Sequence, residues 1–348
     1  MKKIAYIELD NHAEVAQDFM AVMQDSGKFH VDYYLSEKIK SQVKDDGQEI
    51  FLSDSSMILD QLKQKEYDLI IIGTVHRYFS TFQEIVKKYN SAVIVHNINF
   101  MNSSPLDLLK SILKEDILYR IKLFWKEGLS VAPEVYKHAK HLLVLDESLS
   151  SDRLTFLPVF YTGKFENQSK QESVIVIPGG VSQKRRDYSH VFNTIKNLKT
   201  DEPFNFVFLG KAKGTELEHL KKLSSDLPQN ISITWFSERV SQDDFEQWMQ
   251  QADVLWCPIQ QETEFFSRKE IYGKTKMTGN SGDAIKYGKP AIFPVNYPSA
   301  SDFIIPEDKN IPEQFKTLRN TPFPFQEKYT KAAVQEQMEK VLQNLTAI

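Results

Sequence analysis

Residues 4–35 read IAYIELDNHAEVAQDFMAVMQDSGKFHVDYYL and predict a strand, a helix and a second strand in that order. The two apolar runs span Ile4 to Leu9 and Val31 to Leu35. Between them, apolar residues recur at helical spacing from Val15 to Met23, and Gly27 supplies a helix end. A β-α-β order of this kind is typical of a parallel sheet covered by helices.

The same alternation continues along the chain. Residues 69–72 are continuously Leu and Ile, as expected of a parallel strand buried on both faces. Further strands are predicted at 69–73, 92–96, 142–145, 174–177, 204–209, 231–235, 254–257 and 291–293. A polar stretch, 161–171, separates two such series. A helix is expected after Ser241, which would cap it with Asp244 behind it. The sequence therefore predicts two doubly wound α/β domains.

Composition excludes several classes of protein. A formal net charge of -4 over 348 residues gives no general field for nucleic acid, so no nucleic-acid partner is expected. The single cysteine, Cys257, excludes an intramolecular disulfide framework and a multi-thiolate metal site, and its apolar neighbours predict a buried structural thiol. Residues 1–10 do not resemble a signal peptide, and no apolar run could span a bilayer. We expect a cytoplasmic protein whose membrane contact, if any, is peripheral.

Ligands of open α/β sheets bind beyond the carboxyl ends of the strands, so the loops there are searched first. After the strand at 174–177, Gly179 and Gly180 would let backbone amides approach an anion. Three consecutive cations follow, Lys184, Arg185 and Arg186, which would neutralise a diphosphate. The alternative is a tight turn with a solvated basic edge. The loop 208–214 also combines glycines with lysines, and a structural turn is the preferred interpretation there.

The segment 272–290 is the most informative, because small and hydroxyl residues lead into a short helix expected to start near Ser281. Its first amides would face phosphate, with Thr278 and Ser281 as added donors, and Asp283 would accept hydrogen bonds from ribose. The alternative is an ordinary capped helix. The candidate nucleotide-binding residues of this segment are Lys276, Thr278, Gly279, Ser281, Gly282 and Asp283.

The order of these parts resembles the nucleotide-sugar half of GT-B glycosyltransferases. The resemblance rests on the run 207–294, which contains ISITWFSERVSQDDFEQWMQQADVLWCPI at 231–259 and GDAIKYGKPAIFP at 282–294. In this family an acidic residue opens the last motif; Asp283 stands where glutamate is usual. Thr275 or Lys276 falls where many retaining members have a first glutamate, which leaves the stereochemistry open.

The resemblance implies two Rossmann-like domains facing a cleft. It implies an N-terminal acceptor domain at 1–160, a linker at 161–172, a nucleotide-sugar domain at 173–323 and a C-terminal helix, within 324–348, that crosses back to the N-terminal domain. Asp283 would hold the donor ribose, the loop at 179–185 the diphosphate, and 237–240 the base. The co-substrate would be a UDP- or GDP-linked sugar, with no other cofactor.

The implied activity is a hexosyltransferase-like transfer to a glycan or lipid-linked hydroxyl, in cell-surface glycan or polysaccharide synthesis. No Asp-x-Asp motif is present, so no bound metal is expected. Two alternatives remain: a GT-B nucleotide-sugar epimerase, which needs no acceptor, and a non-enzymatic two-domain ligand-binding protein, which would normally carry an export signal.

The acceptor hydroxyl needs a base, and three strand-end loops of the first half, 8–12, 73–77 and 96–99, contain a histidine or carboxylate. We predict His12 or Asp10 as the base. His76, with Arg77, is the competing candidate and would equally bind acceptor or phosphate. An exposed His12 at a capped helix start is the alternative without catalysis.

Residues 106–129, LDLLKSILKEDILYRIKLFWKEGL, mix lysines and arginine with large apolar residues. A core helix with a solvated face is the preferred interpretation. The alternative is peripheral contact with the inner face of a membrane, which would favour a lipid-linked acceptor.

Overall fold

The computed structural model describes residues 1–44, 47–112, 117–163 and 172–347. Within them the strands are β1 Lys2–Glu8, β2 Phe29–Leu35, β3 Ile50–Leu52, β4 Leu69–Ile72, β5 Ser91–Ile94, β6 His141–Val144, β7 Thr155–Phe156, β8 Ser173–Pro178, β9 Phe204–Lys211, β10 Ile231–Phe236, β11 Val254–Trp256, β12 Glu262–Phe265, β13 Arg268–Ile271, β14 Ala291–Phe293 and β15 Ile304–Pro306.

The α-helices of the same residues are α1 Ala13–Met23, α2 Glu37–Lys40, α3 Ile58–Leu62, α4 Phe79–Lys88, α5 Ile98–Met101, α6 Pro105–Ile112, α7 Ile117–Lys126, α8 Ala132–His138, α9 Tyr188–Lys196, α10 Gly214–Asp226, α11 Gln242–Gln251, α12 Gly279–Tyr287, α13 Ile311–Asn320, α14 Phe325–Lys328 and α15 Lys331–Leu345. Short 3-10 helices lie at Leu129–Val131 and Glu147–Leu149.

The chain forms two compact units. Unit 1 contains Met1–Tyr161, Glu264–Met277 and Lys331–Ile348, and unit 2 contains Thr162–Thr263 and Thr278–Thr330. Residues 164–171 of the predicted linker lie outside the described residues.

Unit 1 contains a parallel sheet with the strand order β3-β2-β1-β4-β5-β6-β7 among the described residues. The order reverses direction between β1 and β4, as in doubly wound folds. Ile70 and Ile72 of β4 join the apolar cluster on one face of the sheet, whereas Leu69 and Ile71 join the cluster on the other. Burial on both faces explains why this strand is apolar at every position.

The last helix, α15, packs on α1 in unit 1, as the resemblance implied. Val334, Met338 and Leu342 are buried in the same cluster as Phe19. Ser26 Oγ donates to the Glu339 carboxylate at 2.7 Å and fixes the position of the helix. The predicted α/β fold class is therefore confirmed, including the returning C-terminal helix.

Unit 2 contains a second parallel sheet, ordered β10-β9-β8-β11-β14-β15 among the described residues, which reverses between β8 and β11. Cys257 is fully buried, as predicted, and burial raises the pKa of its thiol far above the ordinary value. Ser241 caps α11 by accepting from Asp244 N at 3.1 Å, also as predicted.

The hairpin of β12 and β13 was not predicted. Residues 264–277 pack in unit 1, where the rings of Phe265 and Phe266 lie 4.9 and 5.4 Å from that of Phe100. The buried carboxylate of Glu270 accepts from the amides of Asn99 at 3.2 Å and Phe100 at 2.8 Å. A segment within the predicted second domain thus completes the core of unit 1.

No helix in the described part of the chain is long and apolar enough to cross a membrane.

Candidate functional site

Three histidines meet at the carboxyl edge of the sheet in unit 1. They follow β1, β4 and β5, which are adjacent, so their loops lie side by side. The rings of His12 and His96 stack with centroids 4.1 Å apart, and His76 lies 5.8 and 5.6 Å from them. Phe265 of the hairpin covers His76 at 4.4 Å. The topology therefore places His12 and His76 in one cluster.

Glu8, the last residue of β1, lies beneath this cluster and is 1% exposed. Burial raises its pKa to about 7, although the Thr74 hydroxyl, which donates at 2.7 Å, and His12 favour the ionised form. Gly73 is required here, because a Cβ would lie 2.5 Å from the Glu8 carboxylate. The site thus contains a carboxyl group that titrates near neutral pH.

The protonation of His76 and His96 follows from their partners. His96 Nε2 lies 2.9 Å from the carbonyl of Gly73, and a carbonyl only accepts, so Nε2 carries a proton. Lys276 donates to Asn97 Oδ1 at 2.5 Å, which turns the Asn97 amide nitrogen toward His76 Nε2 at 3.1 Å. His76 Nε2 is therefore the acceptor, and the neutral His76 ring carries its proton on Nδ1.

Loss of hydration lowers the pKa of both His76 and His96 well below the ordinary value, and the neighbouring His12 and Lys276 charges lower them further. Both rings are therefore neutral at pH 7.

His12 differs from the other two histidines. It begins α1 with a left-handed backbone, φ 61°, and its side chain is 31% exposed. Its Nδ1 lies 2.9 Å from the carboxylate of Glu14, so Nδ1 donates and Nε2 carries the lone pair of the neutral ring.

Asp10 and Arg77 are held by partners within unit 1. Asp10 Oδ1 lies 3.8 Å from Arg77 and 3.9 Å from Lys38. Arg77 forms a two-point ion pair with Glu127, with Nε 3.0 Å from Oε2. These contacts favour structural roles for Asp10 and Arg77 over catalysis.

In unit 2 the carboxyl edge is more open. Gly179 follows β8 with φ 101°, and the loops after β8 and β9 approach so closely that a Cβ on Gly210 would lie 2.4 Å from the Gly179 carbonyl oxygen. A Cβ on Gly180 would meet no atom within 4 Å. The guanidinium of Arg186 lies against Gly179 and donates to Asn280 Oδ1 at 3.2 Å. Arg186 Nε is buried with no partner among the described residues.

The helix α12 begins beside this loop, at Gly279 rather than near Ser281. The helix begins two residues before the expected position because Thr278 is the N-cap, its hydroxyl accepting from Asn280 N at 3.4 Å. Ser281 lies in the first turn and donates its hydroxyl proton to the Thr278 carbonyl at 2.8 Å. The Ser281 hydroxyl is therefore already used within the helix. Gly279 remains open, with no atom within 4 Å of an added Cβ.

The other predicted nucleotide-binding residues are distributed unevenly. Lys184 and Arg185 are exposed, Gly282 is buried, and Asp283 is partly buried within 3.2 Å of the Asn280 amide. Lys276 lies in unit 1 beside the histidines. Arg186 was noted in the sequence only as one of three cations, and Asn280 was not selected.

A hollow of about 500 Å³ in unit 2 opens beyond β11, β14 and β15. Its wall includes His190 and Glu307, whose side chains meet at 2.5 Å, while the buried Trp256 Nε1 donates to the same carboxylate at 2.8 Å. No feature of the sequence had indicated this hollow.

No protein-family model matches the chain, and no curated protein matches it in sequence. Solved structures do match over its whole length. HepE of Anabaena in complex with UDP is 12% identical, with a TM-score of 0.60, covering 99% of this chain and 100% of that one. AviGT4, a glycosyltransferase involved in avilamycin A biosynthesis, is 10% identical with a TM-score of 0.58, covering 100% and 98%.

The lipopolysaccharide outer core galactosyltransferase WaaB is 11% identical with a TM-score of 0.54, covering 98% and 99%. These similarities show that the chain has the GT-B fold of two Rossmann-like domains.

Proposed function

From a GT-B fold with these two sheet edges, we propose that the chain is a glycosyltransferase that moves a hexose from a nucleoside diphosphate sugar to a hydroxyl acceptor. The observation that carries the proposal is the edge of unit 2, where open glycine positions lie beside the Arg186 guanidinium. Backbone amides and a guanidinium are the groups that bind diphosphates in proteins.

In the proposed donor complex, the diphosphate lies against Gly179 and Gly180, with Arg186 as the main cation. Lys184 and Arg185 add positive charge from the exposed side of the turn, and the start of α12 adds its amides and dipole. Asp283 accepts from the ribose, and residues 237–240, after β10, hold the base. These groups would stabilise the leaving diphosphate without a metal ion.

Unit 1 supplies the base in this proposal. The acceptor oxygen forms a bond to the anomeric carbon, and the bond from that carbon to the diphosphate oxygen breaks with its electron pair. The hydroxyl proton passes to His12 Nε2, and Glu14 stabilises the charged ring through Nδ1. His76 is unsuited because Asn97 already occupies its lone pair, and the ion pairs of Asp10 disfavour it.

We propose a glycan or lipid-linked acceptor and a role in cell-surface glycan or polysaccharide synthesis at the cytoplasmic side of a membrane. HepE binds UDP and WaaB is a galactosyltransferase, which makes UDP-hexoses the first donors to try.

The test is thermal stabilisation by UDP, GDP and their sugars, because a ligand selective for the folded state raises the melting temperature. At a hundredfold excess over Kd the gain is about 2.7 kcal/mol, which shifts Tm by several degrees. We expect Asp283→Ala to reduce the shift, and Asp201→Ala, an exposed residue before β9 in unit 2, to leave it unchanged. No shift with any nucleotide would remove the basis of the proposal.

Product analysis without an acceptor separates transfer from epimerisation. A transferase leaves the donor sugar unchanged apart from slow hydrolysis, whereas an epimerase converts it to the second sugar.

A further inference from the structure

The outer surface of α6 and α7 exposes an unusual number of large apolar side chains. Seven of the eleven exposed large hydrophobic residues in the described chain lie on these two helices. We call this surface the docking face, and its members are Leu106, Leu109, Ile117, Leu118, Tyr119, Ile121 and Trp125. Leu118 is 87% exposed and Trp125 80%. Clustered exposure of this kind marks an interaction site.

The exposure of the docking face does not mean that the two helices are detached from the core, since both bury other side chains there. Leu108 and Leu123 are fully buried in the core of unit 1. Arg120 donates to Ser267 Oγ at 2.6 Å and lies over the Phe266 ring, so α7 is fixed against the hairpin. The outward residues therefore remain exposed while the helices keep their inner contacts.

Three exposed lysines alternate with the apolar residues. Lys110, Lys122 and Lys126 each follow a member of the docking face in sequence. The sequence between the helices adds Lys114, Glu115 and Asp116, so the local charge is modest and apolar contact is the main expected contribution.

Lysine is depleted in protein–protein interfaces, whereas on a bilayer its stem lies along apolar surface and its ammonium reaches the headgroups. Trp and Tyr are the residues enriched at that depth.

We propose that the docking face binds the surface of a membrane containing anionic lipid. Trp125 and Leu118 enter the acyl boundary, and the three lysines contact headgroup phosphates. This binding does not depend on transferase activity, so it stands or falls separately from the proposed reaction.

The test is co-sedimentation of the full chain with vesicles of phosphatidylcholine and phosphatidylglycerol. We expect the chain to bind the mixed vesicles. On vesicles of phosphatidylcholine alone, binding should be weaker by about fivefold for each lysine that contacts the surface. Leu118→Ser with Trp125→Ser should lower partition roughly a hundredfold. The matched control, Leu52→Ser with Val295→Ser, removes two exposed apolar residues elsewhere and should bind as wild type.

Vesicles with brominated lipid locate the contact, because they should quench wild-type fluorescence more than that of Trp125→Phe. Absence of sedimentation, or equal binding by the two double variants, would overturn the proposal. Sedimentation velocity tests whether the docking face instead binds a second copy of the chain. If the wild type is a dimer, the Leu118→Ser with Trp125→Ser variant is a monomer and neither binds vesicles, the partner is a second copy and the membrane proposal is wrong.

Discussion

In unit 1 the carboxyl edge of the sheet is crowded, with three imidazole rings packed over a buried carboxyl group and most of their hydrogen bonds already made. In unit 2 the corresponding edge is more open, with uncrowded glycines at Gly180 and Gly279 and the Arg186 guanidinium beside a helix start. The two sheets have closely similar topology, so the difference lies in the loops. The crowded edge is suited to holding protons in fixed positions, and the open edge to admitting an anion.

The largest expected effect comes from His12→Ala, which removes the proposed base from the crowded edge. Turnover should fall by roughly 10²–10⁴-fold, because general base catalysis contributes that much, while nucleotide binding stays unchanged. Initial rates with a UDP-hexose, combined with the thermal shift, measure both. His138→Ala, an exposed histidine on α8, serves as the control. A His12→Ala rate close to wild type would exclude His12 as the base.

A second prediction concerns Glu8. Its pKa of about 7 in the folded chain exceeds the ordinary 4.5, so the folded state binds this proton more tightly than the unfolded state. The stabilisation is complete below pH 4.5 and is lost as pH rises through 7. The total loss of stability from below pH 4.5 to above pH 7 is roughly 3 kcal/mol.

Urea unfolding of wild type and Glu8→Gln at several pH values measures this term, because the variant lacks it. His76 and His96 act in the opposite direction, since their lowered pKa values make stability fall as pH drops below about 6.5. Because both proteins contain these histidines, their contribution cancels in the difference between the unfolding free energies of wild type and Glu8→Gln. If that difference is independent of pH, Glu8 does not titrate near neutral pH.

The third prediction tests the open edge with two adjacent arginines. Arg186 lies against Gly179, whereas Arg185 is exposed. Arg186→Gln should weaken nucleoside diphosphate binding about 10–100-fold, the loss of a charge-assisted hydrogen bond. Arg185→Gln should weaken it by less than about threefold. Calorimetric titration measures the dissociation constant of each variant. Equal effects of the two substitutions would show that positive charge alone, and not the contact of Arg186 with Gly179, determines binding.

The smallest effect is expected from Lys276→Met, which removes the ammonium group that orients Asn97. The pKa of His76 should rise, because the Lys276 charge helps to lower it. NMR titration of the imidazole signals measures the change, with Lys274→Met, an exposed lysine of the same segment, as control. A His76 pKa that does not move would mean that Lys276 does not act on this ring.

The main strands could be predicted because each contains a run of apolar residues, and in β4 this run is buried on both faces, as Leu69 and Ile70 show by joining opposite clusters. The edge strands β3, β7 and β15 are too short to give such a run. The hairpin could not be predicted, since β13 reads Arg-Lys-Glu-Ile and its buried Glu270 accepts from the amide of Phe100, far away in sequence.

For the candidate sites, the rule that ligands lie beyond strand ends selects the loops, but it does not predict which side chains of those loops lie close together. The proton position on His76 depends on Asn97, whose amide is oriented by Lys276, 179 positions later. Likewise, three consecutive cations look equivalent in sequence, and the turn after Val181 decides that Arg186 faces Gly179. Distances of this kind are properties of the packed chain.

The division of the chain also bears on how it folds during synthesis. The chain passes from one unit to the other after residues 161, 263, 277 and 330. Unit 1 therefore needs residues from both ends of the chain and from the hairpin, and when the ribosome has made the first 161 residues, the α1 surface that α15 covers is still bare. Domains with continuous sequence fold as they emerge, but unit 1 must wait until α15 has been synthesised. Chaperone dependence, and aggregation of fragments that end early, are expected consequences of this chain path.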